Sequence, residues 1–360
     1  MKLPKRWVVE RELKRIQLQI SQIPWFVWSP ISRALHDRKK KRRITVRLGG
    51  QPRCQHVAVL LIFQPNKILD SLLHTMNHLT AQGYAVLLVA NHPLSGDSFD
   101  RVAPHCWKIM QRPNYGYDYG GYRDAILHLL DDKTDIESLL VLNDSVWFPV
   151  SDNCTLLDQF KAADQDVFGF VLSEYRHRSD PVIHLQSYMF AVRRRALEHP
   201  AFEQYWRKLP ISSNKHMVVR RCEKRMTQDL HKAGFSYGAV HKFADVTNAV
   251  AKLSDADLLT VARYQIEIGS SHLGKLRKLL ADKDDNPEWR NDVRDYLDVN
   301  EIGKYIPSTH PIVLVDKLRS PLLKKDRSFK YQVQRRELLS SDLRKAISPA
   351  LIEEIEHWDR

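Results

Sequence analysis

Asp144 stands at the end of the apolar run SLLVLNDS, between Asn143 and Ser145. A carboxylate and two neutral oxygens at a strand end make a hard-oxygen corner, of the kind that reaches a diphosphate through a divalent cation. Upstream lies RPNYGYDYGGYRDAI, residues 112–126, with Asp118 among three glycines and four tyrosines. Glycines 116, 120 and 121 let the backbone take positive φ and approach a ligand closely. The stretch leads into a helix N-terminus, whose free N–H groups favour phosphate. The same glycines would also serve a tight corner between strand and helix. Their G-x-x-x-G-G spacing follows the third expected strand, not the first, so it is not the dinucleotide fingerprint.

Two further blocks carry polar chemistry. HLQSYMFAVRR (184–194) sets His184, Gln186, Ser187 and Tyr188 at the start of an extended segment, too polar for a simple buried strand. CEKRMTQDLHKAGF (222–235) places Glu223 one helical stretch ahead of an Ala-Gly-Phe stop, with Asp229 further along. Other patterns are excluded. GSSHLGKL (269–276) nearly spells a P-loop, but Leu276 replaces the Mg²⁺-binding Ser or Thr and no clear strand precedes it. Cys54, Cys106, Cys154 and Cys222 lie far apart without zinc or disulfide spacing, which fits a reducing compartment. His177 and His184 have no third partner at metal-ligand spacing.

The elements that position these residues read as alternating α/β. VAVLLIF (57–63) is a strand, and Ile68, Leu69, Leu72, Leu73, Met76 and Leu79 share a helical face. Gly83 stops that helix before the strand YAVLLVAN, which completes a βαβ unit. A third strand falls near 107–110, a helix from about 122 to 130, and then the strand that ends in Asn143. In parallel sheets ligands bind outside the carboxyl ends of strands, so the glycine stretch and the Asp144 corner share one edge. A helix over 155–163 and the strands DVFGFVL and SYMFAVR follow, the second with inward and outward residues alternating. Residues 251–360 read as a helical extension, and residues 54–250 as the nucleotide-binding α/β domain.

Charge is uneven. Residues 1–53 carry +12 of the net +13, and the body is nearly neutral. Nucleic-acid binding would need Lys and Arg spread across the folded body, so the distribution argues against it. The basic N-terminal arm, 1–53, has Val9, Leu13, Ile16 and Ile20 near helical spacing, then Trp25, Phe26 and Trp28, then RKKKRR at 38–43. Two expectations follow: residues 1–45 meet an anionic membrane surface, or they form a helix docked on the body. With no apolar run long enough to span a bilayer, a cytoplasmic, peripheral location is expected.

The blocks NYGYDYGGYRDAI, VLNDSVWFP, HLQSYMFAVRR and E-x-x-x-T-x-x-L-x-x-A-G-F, in that order, resemble the rhamnan synthesis protein F family of bacterial polysaccharide glycosyltransferases. The resemblance covers roughly 55–245, with a weaker echo in HPIVLVDKLRSPLLKKD at 310–326. It implies a GT-A-like, Rossmann-type fold, a nucleotide-sugar donor, and a cell-surface polysaccharide or lipid-linked glycan acceptor, with rhamnose as the associated sugar. By position it implies that Asn114, Gly116, Asp118, Gly120, Asn143 and Ser145 lie against the donor. It also implies that Asp144 reaches the diphosphate through Mg²⁺ or Mn²⁺, and that Glu223 activates the acceptor hydroxyl. His184, Gln186, Ser187 and Tyr188 would face donor or acceptor. The chain departs from the pattern in two places: NDS has one carboxylate where DxD has two, and Lys224 follows Glu223. The competing expectation is a catalytically degenerate, membrane-associated scaffold of polysaccharide assembly.

Overall fold

The computed structural model describes residues 28–40, 42–177, 180–269, 273–300 and 306–359. Its strands are β1 (Thr45–Leu48), β2 (His56–Ile62), β3 (Tyr84–Ala90), β4 (Lys108–Gln111), β5 (Ser138–Asn143), β6 (Val146–Trp147), β7 (Val167–His177), β8 (Asp180–Leu185), β9 (Met189–Arg193), β10 (Tyr237–His241) and β11 (Leu323–Lys324). The helices used below are α1 (28–40), α2 (Asp70–Ala81), α3 (Tyr117–Asp131) and α4 (Lys224–Lys232).

A nine-stranded sheet runs β1-β4-β3-β2-β5-β9-β7-β10, with β8 hydrogen-bonded to β7. Strands β4, β3, β2 and β5 are parallel, β9 is antiparallel to both its neighbours, and β10 is again parallel to β7. The fold is therefore mixed α/β about a parallel-rich sheet, as expected. Chain order reverses between β2 and β5, which is the topological switch point where such sheets leave a crevice.

The central strands β2, β3 and β5 are apolar almost throughout because both their faces are covered. Ala58, Leu60 and Ile62 of β2, with Leu140 and Leu142 of β5, pack toward α2 and the C-terminal helices. Val57, Val59 and Leu61, with Leu139 and Val141, pack toward α3 and the Phe202 and Trp206 layer. This two-sided alternation explains the continuous hydrophobic runs. It also corrects the alternating pattern expected for SYMFAVR, since Met189–Val192 are all buried in the sheet interior.

Several elements differ from the sequence reading. Helix α3 starts at Tyr117, several residues before the expected start. Gly120 and Gly121 are therefore helical residues. A Cβ on Gly120 would strike the Tyr115 carbonyl oxygen, and one on Gly121 would strike Leu61, so these glycines permit close helix packing. Of the three glycines only Gly116 has the left-handed conformation, φ 79°, and Tyr117 follows it with φ 51° at the helix start. The C-terminal stretch is not wholly helical: β11 pairs antiparallel with β6, Lys324 opposite Val146.

The expected arm over 1–53 is, over its described residues, attached to the body. Strand β1 adds to β4, and α1 docks through one face: Ser29 donates to the Ile211 carbonyl, Ser32 meets the Tyr115 hydroxyl at 2.6 Å, and Arg33 donates to the Lys208 carbonyl. Val9, Leu13, Ile16, Ile20, Trp25 and Phe26 lie outside the described residues.

Helix α1 also reaches a buried charge cluster. Arg112 Nε donates to Asp124 Oδ2 at 2.7 Å, with both side chains fully buried, and His36 Nε2 lies 3.0 Å from the same oxygen. Burial alone would raise the Asp124 carboxyl, but the His36 hydrogen bond and the Arg112 charge together hold it down at about 2. Its contribution to stability is therefore complete above its ordinary 3.8 and lost as pH falls through 2. Replacing Asp124 by Ala strands a buried guanidinium and should cost about 3–5 kcal/mol at pH 7, read by urea denaturation. The variant should also lose less stability than the parent between pH 5 and pH 2. A loss below about 1 kcal/mol would show that water or another group satisfies Arg112.

Candidate functional site

Strands β2 and β5 end beside each other at the switch point, and the polar corner spans the gap. Asp144 donates its backbone N–H to the Leu61 carbonyl, and its Oδ2 accepts from Phe63 N at 3.1 Å and Gln64 Nε2 at 3.0 Å. The abrupt end of the apolar run is thus the end of the ladder, where a half-buried carboxylate ties two strand ends together. Burial raises its pKa, opposed by the charge of Lys325 and by the Phe63 and Gln64 hydrogen bonds.

Around it, side chains form a continuous chain. Asn143 Nδ2 donates to Asp118 Oδ2 at 3.0 Å, while Asn143 Oδ1 accepts from the Ser145 backbone N–H and, at 2.6 Å, from its hydroxyl. Ser145 Oγ accepts in turn from Lys324 Nζ at 3.2 Å, and that ammonium sits 3.9 Å above the Tyr188 ring. Asp118 is the second residue of α3, so the helix N-terminus supplies favourable dipole to it. Burial and the like charges of Asp144 and Glu223 nevertheless push its pKa to about 6, against the pull of Lys324 and Lys215.

Glu223 closes a widened π-helical turn, Val219–Glu223, ahead of α4. Such wide turns re-aim a side chain and recur at functional sites. Burial raises its pKa, eased by a hydrogen bond with Ser187 and by the charge of Lys324. Lys324 is the counterpart: burial lowers it to about 8, although Glu223 and Asp118 pull it upward.

The expected site residues are thus partly assembled and partly dispersed. Asp118, Asn143, Asp144, Ser145, Ser187, Tyr188 and Glu223 lie together. Asn114 is on the rim, exposed, with its Oδ1 3.3 Å from Asn91 Nδ2. A Cβ on Gly116 would strike Gly120 and Ile211, so this glycine serves close packing. His184 and Gln186, expected at a substrate, are buried. Gln186 donates to Ser173 Oγ at 2.5 Å, and burial lowers His184 to about 4. The segment is not one extended strand: it breaks after Leu185, and the turn at Ser187–Tyr188 alone reaches the site. Asp229 is held by Arg225 one helical turn away, at 3.4 Å.

Lys324 and Lys325 were not among the expected site residues, although they sit in the 310–326 block that carries the weaker resemblance. Lys325 lies on the other side of β11. Its ammonium donates to Ser71 Oγ at 2.6 Å and pairs with Glu354 at 3.4 Å, and Glu354 also accepts from Trp147 Nε1.

The expected divalent cation can be tested against these groups. Asp144 Oδ2 is already shared by two donors, its flanks are neutral, and a lysine occupies the interior of the site. Among the described residues no three His, Cys, Asp or Glu side chains converge to hold a metal. The protein groups do not fit a resident dication.

The rhamnan synthesis protein F family matches residues 86–261. Over 356 residues the chain is 31% identical to the uncharacterized protein y4gN of Sinorhizobium fredii (strain NBRC 101917 / NGR234), spanning 98% of this chain and 92% of that one. Among solved structures it is similar to a mannosyltransferase from Pyrobaculum calidifontis in complex with GDP-Man and Mn²⁺. That match has TM-score 0.34 and 10% identity, over 63% of this chain and just under two thirds, 66%, of that one. A glycosyltransferase involved in glycosylating the major capsid of PBCV-1 matches with TM-score 0.29 and 12% identity, over 46% and 76%.

The raised Asp118 carboxyl has a signature. Its native pKa, about 6, exceeds the ordinary 3.8, so its favourable contribution is complete below 3.8 and lost as pH rises through 6. Asp118→Asn should therefore be more stable than the parent at pH 8, by on the order of 1 kcal/mol, and show no such gain at pH 3.5. Urea unfolding across that range checks it; parallel curves would mean that Asp118 titrates as it does unfolded.

Proposed function

The chain belongs to the rhamnan synthesis protein F family, and we propose that it is a glycosyltransferase moving a sugar from a nucleotide-sugar donor to a cell-surface polysaccharide or lipid-linked glycan. The observation that carries this reading is the joining of Asp118, Asn143, Ser145 and Lys324 at the switch point, with Asp144 and Glu223 on either side. An open α/β sheet binds nucleotides at this place.

In this reading the donor lies across the ends of β2 and β5, and Asp144 bonds its sugar hydroxyls. Glu223 takes the proton of the acceptor hydroxyl. The acceptor oxygen bonds to the anomeric carbon as the bond from that carbon to the diphosphate breaks, and the nucleoside diphosphate leaves. Burial suits Glu223 to this task, because a carboxylate with a raised pKa is a stronger base. Rhamnose is the sugar proposed, because the family is one of rhamnan synthesis.

The location proposed with this function is the inner face of the cytoplasmic membrane. Helix α1 presents Trp28, Ile31 and Leu35, at helical spacing, 49%, 48% and 40% exposed, on the side away from its docked residues. Arg38, Lys39, Arg42 and Arg43 are exposed next to this stripe. Apolar residues beside a basic cluster suit an anionic headgroup layer. Among the described residues no helix is long and apolar enough to cross a membrane.

Two outcomes are expected. Glu223→Gln should lower turnover by about 10²- to 10⁴-fold with donor affinity retained, and Asp144→Asn should also depress transfer heavily, in an assay of purified protein with a panel of nucleotide sugars. Parent-like turnover in both variants would remove these carboxylates from the chemistry, and a parent that turns over no donor would favour the scaffold. The full chain should sediment with anionic phospholipid vesicles in a salt-sensitive way, and replacing Trp28, Ile31 and Leu35 together by Ser should release it. Equal sedimentation of the two chains would make the stripe irrelevant to membranes.

A further inference from the structure

We propose that Lys324 is the cation that meets the donor diphosphate, standing where a divalent metal ion would otherwise be needed. The inference deepens the nucleotide-sugar reading and rests on it. Its basis is the contrast between two adjacent lysines. They follow one another at β11, so their side chains leave opposite faces of the strand. Lys325 is committed to structure: Glu354 neutralises it, Ser71 accepts from it, and the Trp147 and Trp358 rings lie 5.6 and 5.7 Å from it.

Lys324 is placed otherwise. Its hydrogen bond is to a neutral hydroxyl, Ser145 Oγ, and its remaining contact is the face of Tyr188. Among the described residues it forms no ion pair, although Asp118, Glu223 and Asp326 act on it electrostatically from nearby. A buried ammonium costs free energy unless an anion is brought to it. Asp118 and Glu223 stand near it without pairing, whereas a diphosphate at the strand ends would meet it at contact distance.

The site's composition agrees with this role. Asn143 and Ser145 flank the one carboxylate of the corner, and the fixed positive charge of Lys324 stands near the other two, Asp118 and Glu223, so the negative charge left to hold a dication is reduced. Lysine is a compact point charge with three donors and binds phosphate well without metal. The pairing of β11 with β6 delivers it from the far end of the chain, on a strand and not a mobile loop. As the sugar–phosphate bond breaks, the leaving diphosphate gains negative charge, and Lys324 would stabilise it there.

The test is binding of UDP, GDP, CDP and dTDP, and of the corresponding monophosphates, to the full chain by calorimetry, in EDTA and in Mn²⁺. At least one diphosphate should bind equally well in both. Lys324→Met should weaken that diphosphate by about 10- to 100-fold and its monophosphate by less. Lys324→Arg should keep most of the affinity, and it guards against a folding defect in the first variant. Diphosphate binding that EDTA abolishes and that Lys324→Met leaves unchanged would overturn the inference while leaving the donor reading intact. Failure of every nucleotide to bind under either condition would remove the donor reading, and the inference with it.

Discussion

One buried guanidinium organises the edge on which the site is built. Arg112 directly follows β4 and spends its donors in three directions: on Asp124 of α3, on Asn91 Oδ1 just after β3, and on the Tyr115 carbonyl of the loop between β4 and α3. Asn91 then donates to Asn114 and to the Tyr117 carbonyl, so the loop's path is set by polar groups with few alternative partners. A buried charge of this kind tolerates little displacement, because moving any partner leaves it unsatisfied. The start of α3, the position of Asp118, and the docking of α1 through His36 all follow from that demand.

The site itself works by leaving charge incompletely settled. In the Arg112 cluster every charge has a close partner, and Asp124 sits well below its ordinary pKa. At the strand ends Asp118, Asp144 and Glu223 are all raised, and Lys324 is lowered. Shifts toward neutrality in four neighbours mark a place where burial outweighs pairing, as functional sites commonly do. A diphosphate and an acceptor hydroxyl would supply the missing partners. The C-terminal stretch contributes two consecutive lysines, both lowered by burial: Lys325 has an ion pair with Glu354, and Lys324 has none among the described residues.

Local pattern made much of this legible. The βαβ unit was visible because β2 and β3 are short apolar runs on either side of a helical stripe ending at Gly83, and the corner at Asp144 because an apolar strand stops abruptly there. Glu223 was found by resemblance. What the sequence concealed depends on distant partners. Nothing near Lys324 announces that it will face Ser145, and nothing near His36 points to Asp124. The glycines misled in a specific way: a glycine near a strand end suggests a ligand approaching the backbone, but at 120 and 121 the approaching atoms belong to Tyr115 and Leu61. The same cause displaced the predicted start of α3. His184 and Gln186 stand in a block that is polar in sequence, and polarity does not distinguish a substrate contact from an interior hydrogen bond such as that of Gln186 to Ser173.

Hydrogen exchange of the full chain with and without a bound nucleoside diphosphate tests most directly the claim that the strand ends at β2 and β5 form the donor site. Protection should appear together in peptides covering 61–64, 114–120, 143–147 and 323–325, segments far apart in sequence that converge only there. Protection confined to other parts of the chain, with these four segments unchanged, would contradict the placement of the site.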